Sequence, residues 1–397
     1  MLFDNISKTI NKKELLSIDY VPQKIVGRDF EIQELAFHLS YIFRESPSLP
    51  QQLIFGGVGT GKTTIILYIL KELEKAVKEK KINLKIVRIK GSESKSKYEV
   101  LKKVLTQISP GTPVTTMSSD LHTKIVKVIS ERGLYVLIFI DEIHELKKEE
   151  LNSVLYTISR LGGDVAFSDS RQKLKLVKSE KGIVGYIVVS NERNITKKLK
   201  DNTKSSLTKE VLDYKRYEPS QIINILNSRI EEGALHKGKI EEGVLELISG
   251  ISVKEGQDSR YALVLLNNSA KECEKRNEEK ISVKIVKSVN AILLENYMKA
   301  LLRDQPNFYL DILLIIYYLY KNKKKLNGKT IWEEYKLREY LSEVNYSRIS
   351  QIITSFEKDG IVYVTSSDKT KLRSLSIEEN LQEIEEVLKE KGKIKNG

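Results

Sequence analysis

Short apolar runs separated by longer amphipathic stretches set the rhythm of the first half of this chain. The runs at residues 53–55, 84–89, 135–140 and 185–190 are continuous rather than alternating, as strands are when a parallel sheet buries them on both faces. Residues 62–79, 97–107 and 121–131 carry apolar side chains at helical spacing, and 29–43 reads as a helix ahead of the first strand. Strand and helix in alternation predict an α/β domain built on a buried parallel sheet. The segment 162–182 breaks the pattern. It is polar and basic (Arg171, Lys173, Lys175, Lys178, Lys181) where a short link would suffice, and it reads as an inserted loop.

After Tyr217-Glu218-Pro219 the strand signal stops. Residues 220–231, 241–251, 258–275 and 283–302 all read as helices, a small all-α domain. A break near Arg303-Asp304-Gln305-Pro306 opens a third region with an apolar helix at 308–321. A helix at 331–341 follows, then, after a short turn, a helix at 347–356 whose apolar stripe is Ile349, Ile352, Ile353 and Phe356. Gly360 ends that helix, a strand begins at 361–364, residues 366–371 form a hairpin tip, and the return strand contains Arg373. A last amphipathic helix covers 377–391. Two helices followed by a basic hairpin are the order of a winged helix-turn-helix. The domains expected are therefore 1–217, 218–303 and 304–397.

Composition adds a partner class. The 397 residues include 40% hydrophobic and 30% charged positions, with a formal net charge of +13. A positive excess of this size favours a polyanionic partner. No segment is long and apolar enough to cross a bilayer, so nucleic acid is favoured over membrane. Cys273 is the only cysteine, which excludes a disulfide framework within the chain. The N-terminus lacks an apolar leader core, and the expected location is cytoplasmic, with nucleoid association.

Chemistry concentrates at strand ends. Gly56-Gly57-Val58-Gly59-Thr60-Gly61-Lys62-Thr63-Thr64 has the spacing of a phosphate loop, with an apolar strand before it and an apolar helical pattern after it. Its glycines let backbone N–H groups face a polyphosphate at a helix N-terminus. Lys62 would pair with the β/γ-phosphates and Thr63 would hold Mg²⁺. The run 135–140 leads into Asp141-Glu142, a Walker B pattern that delivers two carboxylates to the carboxyl edge of the sheet. Asp141 would orient Mg²⁺ and Glu142 the attacking water. Asn191, at the tip of the next strand, would contact the γ-phosphate or that water, and Arg260, at the start of a helix in the all-α region, would report whether ATP or ADP is bound. In the third region Ser347, Arg348, Gln351, Thr354 and Ser355 lie opposite the apolar stripe, as donors to phosphates and base edges. Lys369, Thr370, Lys371 and Arg373 would form the wing contact.

Together these residues resemble the archaeal origin-recognition initiators, relatives of the eukaryotic origin recognition complex and of the cell-division-cycle loader protein. Ile25-Val26-Gly27-Arg28-Asp29 is similar to that family's box beside adenine, Gly56–Thr63 to its phosphate loop, 138–144 to its Walker B, Val189-Ser190-Asn191 to its sensor-1 strand end, and 259–263 to its sensor-2 helix. The resemblance implies a P-loop AAA+ sheet domain, a helical lid and a C-terminal winged helix. It further implies binding of ATP/ADP with Mg²⁺ in which Val26, Gly27 and Arg28 take part, slow hydrolysis, and nucleotide-regulated binding of origin duplex DNA. A paralogous initiator and the replicative helicase are the implied protein partners. In this family an insertion between Walker B and sensor 1 makes a second DNA contact, which here would use Arg171 and Lys173. Where family members often carry arginine, 200–207 carries none, so no arginine finger is identified. The alternatives from other classes are a signalling or mobile-element AAA+/STAND-like ATPase whose winged helix binds protein, and a DNA-pumping motor.

Overall fold

The computed structural model describes residues 7–114, 117–173, 182–207, 211–254, 258–338, 344–367 and 373–394. The chain separates into two compact units, Met1–Val286 and Lys287–Gly397. The division falls within a helix, upstream of the boundary after residue 303 read from the sequence.

The first unit begins with α1 (Asp29–Ser40), β1 (Gln51–Gly56), α2 (Lys62–Glu79), β2 (Leu84–Lys90), α3 (Lys97–Ile108) and α4 (Ser118–Arg132). It continues through β3 (Tyr135–Asp141), α5 (Lys148–Lys173), β4 (Ile183–Ser190), α6 (Asp201–Ser206) and β5 (Val211–Tyr214). The strands form one parallel sheet in the order β2-β3-β4-β1-β5. The continuous apolar runs follow from burial on both sides. Leu53, Phe55, Val136, Ile138, Tyr186 and Val188 face the layer of α3, α4 and α5, while Ile54, Leu137, Phe139, Ile187 and Val189 face α1 and α2.

Two predicted boundaries are corrected here. The expected helix 29–43 is α-helical only to Ser40, and Tyr41–Phe43 tighten into a 3-10 turn. The segment 162–182 is not a loop from its start: α5 runs on through Gly162 and Gly163 to Lys173, and residues 174–181 lie outside the described ones. Ahead of α1 the chain is tied to residues far along the sequence. The backbone N–H groups of Thr9 and Ile10 each donate to Glu274 Oε1 at 3.0 Å, Ser7 bonds the same carboxylate, and Ile10 bridges Leu235.

The all-α part comprises α7 (Pro219–Glu231), α8 (Val244–Lys254), α9 (Ser259–Lys275) and α10 (Val283–Arg303), the last running across the division. Pro219 opens α7 at a position where its missing N–H costs nothing, and Asp258 caps α9 by accepting from Arg260 N and Tyr261 N.

The second unit continues with α11 (Asn307–Lys321), α12 (Gly328–Lys336), α13 (Tyr346–Lys358), the strands β6 (Tyr363–Ser367) and β7 (Arg373–Ser376), and α14 (Leu381–Glu390). The stripe Ile349, Ile352, Ile353 and Phe356 is buried in one apolar cluster with residues of α11, α12 and α14. β6 and β7 pair antiparallel, with an irregularity between Val364 and Ser366, and Leu375 N donates to Leu326 O, tying the hairpin to the start of α12. The helix predicted at 331–341 starts earlier, because Asn327 caps it through Lys329 N and Thr330 N, and its α-helix ends at Lys336. The strand predicted from 361 starts at Tyr363, because Ile361 N and Val362 N both bond back to Phe356 O at the end of α13. No described helix is long and apolar enough to cross a membrane.

Candidate functional site

β1 ends at Gly56 and α2 begins at Lys62, so the loop between them is held at both ends by regular structure. Gly59 and Gly61 have φ of +67° and +83°, a region that penalises any side chain. Gly56 has a second reason to lack one: a Cβ there would stand 2.6 Å from Tyr214 O on β5. Lys62 Nζ folds back over the loop and donates to Gly56 O at 3.0 Å and Gly57 O at 2.5 Å. Its burial lowers the ammonium to about 8, partly offset by attraction to Asp141. Thr63 Oγ1 donates to Asp141 Oδ2 at 2.7 Å, and Asp141 Oδ1 accepts from Glu142 N at 3.0 Å. A hydroxyl and a carboxylate in contact at the start of α2 are oxygen donors suited to a hard divalent cation that shares a polyphosphate. Among the described residues no group of three or more His, Cys, Asp or Glu forms a metal cage.

Glu142 takes the left-handed conformation, φ +53°, which is strained for a non-glycine residue. Its carbonyl lies where Gly91, just after β2, would otherwise carry a Cβ, at 2.2 Å. Adjacent pairing of β3 and β4 brings Asn191 to the same sheet edge. There Asn191 N donates to His144 Nδ1 at 3.3 Å.

The all-α part closes over the loop. Ser259 Oγ donates to Gly59 O at 2.9 Å, and a Cβ on Gly59 would fall 1.8 Å from Asp258 Cγ. The resulting cleft measures about 1060 Å³ with its mouth included, enough for a nucleotide. Its phosphate-loop end is formed by Val58, Gly59, Gly61, Lys62, Thr63 and Thr64, together with Asp141, Glu142, Asn191 and the exposed Arg260. Ile18, Pro22, Ile25, Val26 and Ile225 add apolar walls. Gly56, Gly57 and Thr60 stand behind this surface as acceptors for Lys62.

Of Val26, Gly27 and Arg28, only Val26 lines the cleft. Gly27 uses its carbonyl to accept from Gln221 Nε2 at 2.8 Å. Arg28 is turned inward: Nη1 meets Glu31 Oε1 and Nη2 meets Lys215 O, each at 2.5 Å, with the guanidinium 4.0 Å from the Tyr217 ring centroid. Three lining or edge residues were not singled out by sequence. Tyr217 carries no pattern of its own, and His144, the last residue of the 138–144 match, was assigned no role. Arg229 offered a signal, since it shares the buried register of Ile222 and Leu226 on α7. It is buried, donates from Nη2 to Tyr20 O at 3.2 Å and leaves Nη1 without a partner. Burial pulls its guanidinium below the usual arginine range.

In the second unit, α13 exposes Ser347, Arg348, Gln351 and Thr354, with Ser355 half-buried. Ser355 Oγ is engaged by Asp359 Oδ2 at 3.3 Å, and Arg348 Nη1 reaches Gln351 Oε1 at 3.4 Å. Arg373 opens β7 and Arg171 and Lys173 end α5, but their side chains are not among the described ones. Lys369, Thr370 and Lys371 lie outside the described residues. The stretch 200–207 forms α6, without arginine.

With this geometry in hand, likeness to known proteins becomes informative. A model described as the Cdc6 AAA+ ATPase-type lid domain matches residues 223–291, and an AAA domain model matches 52–177. The ORC1-type DNA replication protein 1 of Archaeoglobus fulgidus is 27% identical, covering 100% of this chain and 95% of the relative. Its Methanosarcina mazei counterpart is 28% identical, over 95% and 90% of the two chains. The structure of the Aeropyrum pernix ORC1 protein in complex with DNA superimposes with a TM-score of 0.74 at 26% identity, covering 98% of each chain. The Aeropyrum pernix ORC2 protein, in ADPNP–ADP complexes, shares the fold with a TM-score of 0.62 at 17% identity, over 97% of this chain and 100% of that one.

Proposed function

We propose that this chain, which belongs to the Orc1/Cdc6-type archaeal replication initiators, binds ATP or ADP in the cleft of its first unit and duplex DNA at a replication origin. It is an AAA+ ATPase. The observation that carries the reading is the contact of Thr63 Oγ1 with Asp141 Oδ2 at 2.7 Å under a lid that reaches Gly59 through Ser259, in the same chain as the exposed polar face of α13.

The division of labour follows from the side chains. The N–H groups of the phosphate loop receive the phosphates, and Lys62 exchanges its loop carbonyls for β/γ oxygens. Thr63 and Asp141 would hold Mg²⁺, which would supply neutralisation of phosphate charge. Glu142 polarises the attacking water and Asn191 orients it or the terminal phosphate. Arg260 reads the nucleotide state and sets the lid, which biases the grip on DNA. Turnover is slow, because the chain supplies no evident arginine finger. On DNA, Ser347, Arg348, Gln351, Thr354 and Ser355 enter the groove from a winged helix-turn-helix, with 369–373 as the wing and the end of α5, Arg171 and Lys173, as a second contact. A paralogous initiator and the replicative helicase are the protein partners.

Binding of labelled duplex to the full chain, with and without ATP, tests the reading. Duplex affinity that falls steeply with salt is expected, and Lys62→Ala should lose nucleotide while still binding DNA. Absence of duplex affinity at moderate salt removes the initiator function.

A further inference from the structure

His144 is a cleft-edge side chain that the reading above leaves without a task. It sits on the 3-10 turn Ile143–Glu145, directly after Asp141-Glu142, and its side chain is 12% exposed. Asn191 meets the ring twice. Its backbone N–H donates to Nδ1 at 3.3 Å, and its side-chain Nδ2 stands 3.2 Å from Nε2.

These contacts fix a tautomer. An imidazole nitrogen that accepts a hydrogen bond carries no proton, so the neutral ring bears its proton on Nε2. Glu145 Oε1, 3.7 Å from Nε2, favours the same arrangement. Nε2–H requires an acceptor, and of the two ends of the Asn191 amide only the oxygen can accept. The amide keeps its shape on a half-turn, so Oδ1 takes the place facing Nε2. The NH₂ group then takes the place of Oδ1 at the far end of the amide, in a residue that lines the cleft together with Lys62, Glu142 and Arg260. The difference is chemical: a donor stabilises phosphate oxygen, while a carbonyl facing it repels.

We propose that His144 is a positioning residue: as the Nε2–H tautomer it locks the Asn191 amide with its NH₂ toward the terminal phosphate of a bound nucleotide. The inference rests on the ATPase reading of this cleft. Without the lock the amide samples both orientations, and turnover loses a correctly placed donor while ground-state binding is nearly unchanged.

Two measurements test this. In the full chain, which has four histidines, imidazole nitrogen chemical shifts, assigned to His144 by comparison with His144→Gln, should report the Nε2–H tautomer; an Nδ1–H ring overturns the proposal. In steady-state ATP hydrolysis, His144→Phe should lower kcat about ten- to a hundredfold with KM changed less than about threefold. His144→Gln, whose amide N–H reaches the Nε2 position, should restore most of kcat. In an Asn191→Ala background His144→Phe should cost nothing further. A KM effect with kcat unchanged, or equal losses in both backgrounds, overturns it. A wild-type chain that neither binds nor hydrolyses ATP sinks the ATPase reading instead, and the tautomer is still decided by the spectrum.

Discussion

Lys62 holds a buried cation whose partners in the loop are the carbonyls of Gly56 and Gly57 and the hydroxyl of Thr60. Its ammonium is lowered to about 8, chiefly by burial, while the unfolded chain keeps the ordinary value of 10.5. Below about pH 8 both states are protonated and the folded state carries the net cost of the buried ammonium, at most about 3 kcal/mol for a shift of this size. Between pH 8 and 10.5 the unfolded chain binds a proton that the folded one has released, so this group makes stability rise with pH across that window. Lys62→Met should therefore abolish ATP binding yet melt no lower than wild type at pH 7, and its advantage should shrink by pH 10. Calorimetric titration with ATP and melting curves at the two pH values check both parts; a variant clearly less stable at pH 7 contradicts the account. Gly59 makes a complementary case. Its φ of +67° and the overlap of a Cβ with Asp258 at 1.8 Å mean that Gly59→Ala must strain the loop and push the start of α9 away. ATP affinity should fall at least about tenfold, read by the same titration. Spacing made Gly59, Lys62, Thr63, Asp141 and Asn191 legible, because each lies at the end of a strand or in the loop and helix start that follow one. Arg28 was not legible as an inward-facing residue, since its carbonyl partner, Lys215 O, is 187 positions away.

Among the elements, α5 shows where local reading fails. Gly162-Gly163 followed by polar and basic residues looks like a helix stop, yet the helix continues to Lys173. The reason lies across the layer: a Cβ on Gly162 would come within 3.3 Å of Val184 O on β4, whereas one on Gly163 would meet nothing within 4 Å. Gly162 therefore permits close approach of helix to sheet, and Gly163 has no such role. The two should diverge on substitution. Gly163→Ala should stabilise by about 0.5–1 kcal/mol, the ordinary gain of alanine over glycine in a helix, while Gly162→Val should destabilise by about 1–3 kcal/mol through overpacking. Denaturant titration of the pair decides it, and equal effects at both positions would show that the layer contact is immaterial. By contrast α13 was read almost to the residue, because its stripe Ile349, Ile352, Ile353 and Phe356 is buried as the spacing required. The clamp of Thr9 and Ile10 on Glu274 had no sequence signal at all, since backbone donors are common to every residue.

For the whole molecule, the net charge of +13 matters less than which cations are already spent. In the second unit Lys389 pairs with Glu385 at 2.9 Å, Lys299 with Glu386 at 2.5 Å and Arg303 with Glu390 at 2.7 Å. Glu385 is held at about 2 by hydrogen bonds from Lys389 and Lys321, so the carboxylates of α14 are already matched by cations, Lys389 of the same helix among them. Arg348 differs: its contacts are Gln351 Oε1 and, at 6.0 Å, the Tyr309 ring, with no acidic partner among the described residues. A phosphate oxygen would give it the strong charged partner it lacks, whereas bringing one to Lys389 would cost an existing pair. If α13 faces duplex DNA, Arg348→Ala in the full chain should weaken binding and reduce the slope of log affinity against log salt by about one. Lys389→Ala should leave that slope unchanged. The two variants remove the same charge from the same unit, so a purely global electrostatic attraction would lower affinity equally in both. Unequal salt slopes assign the contact to the face of α13, and equal slopes would move the grip on DNA away from it.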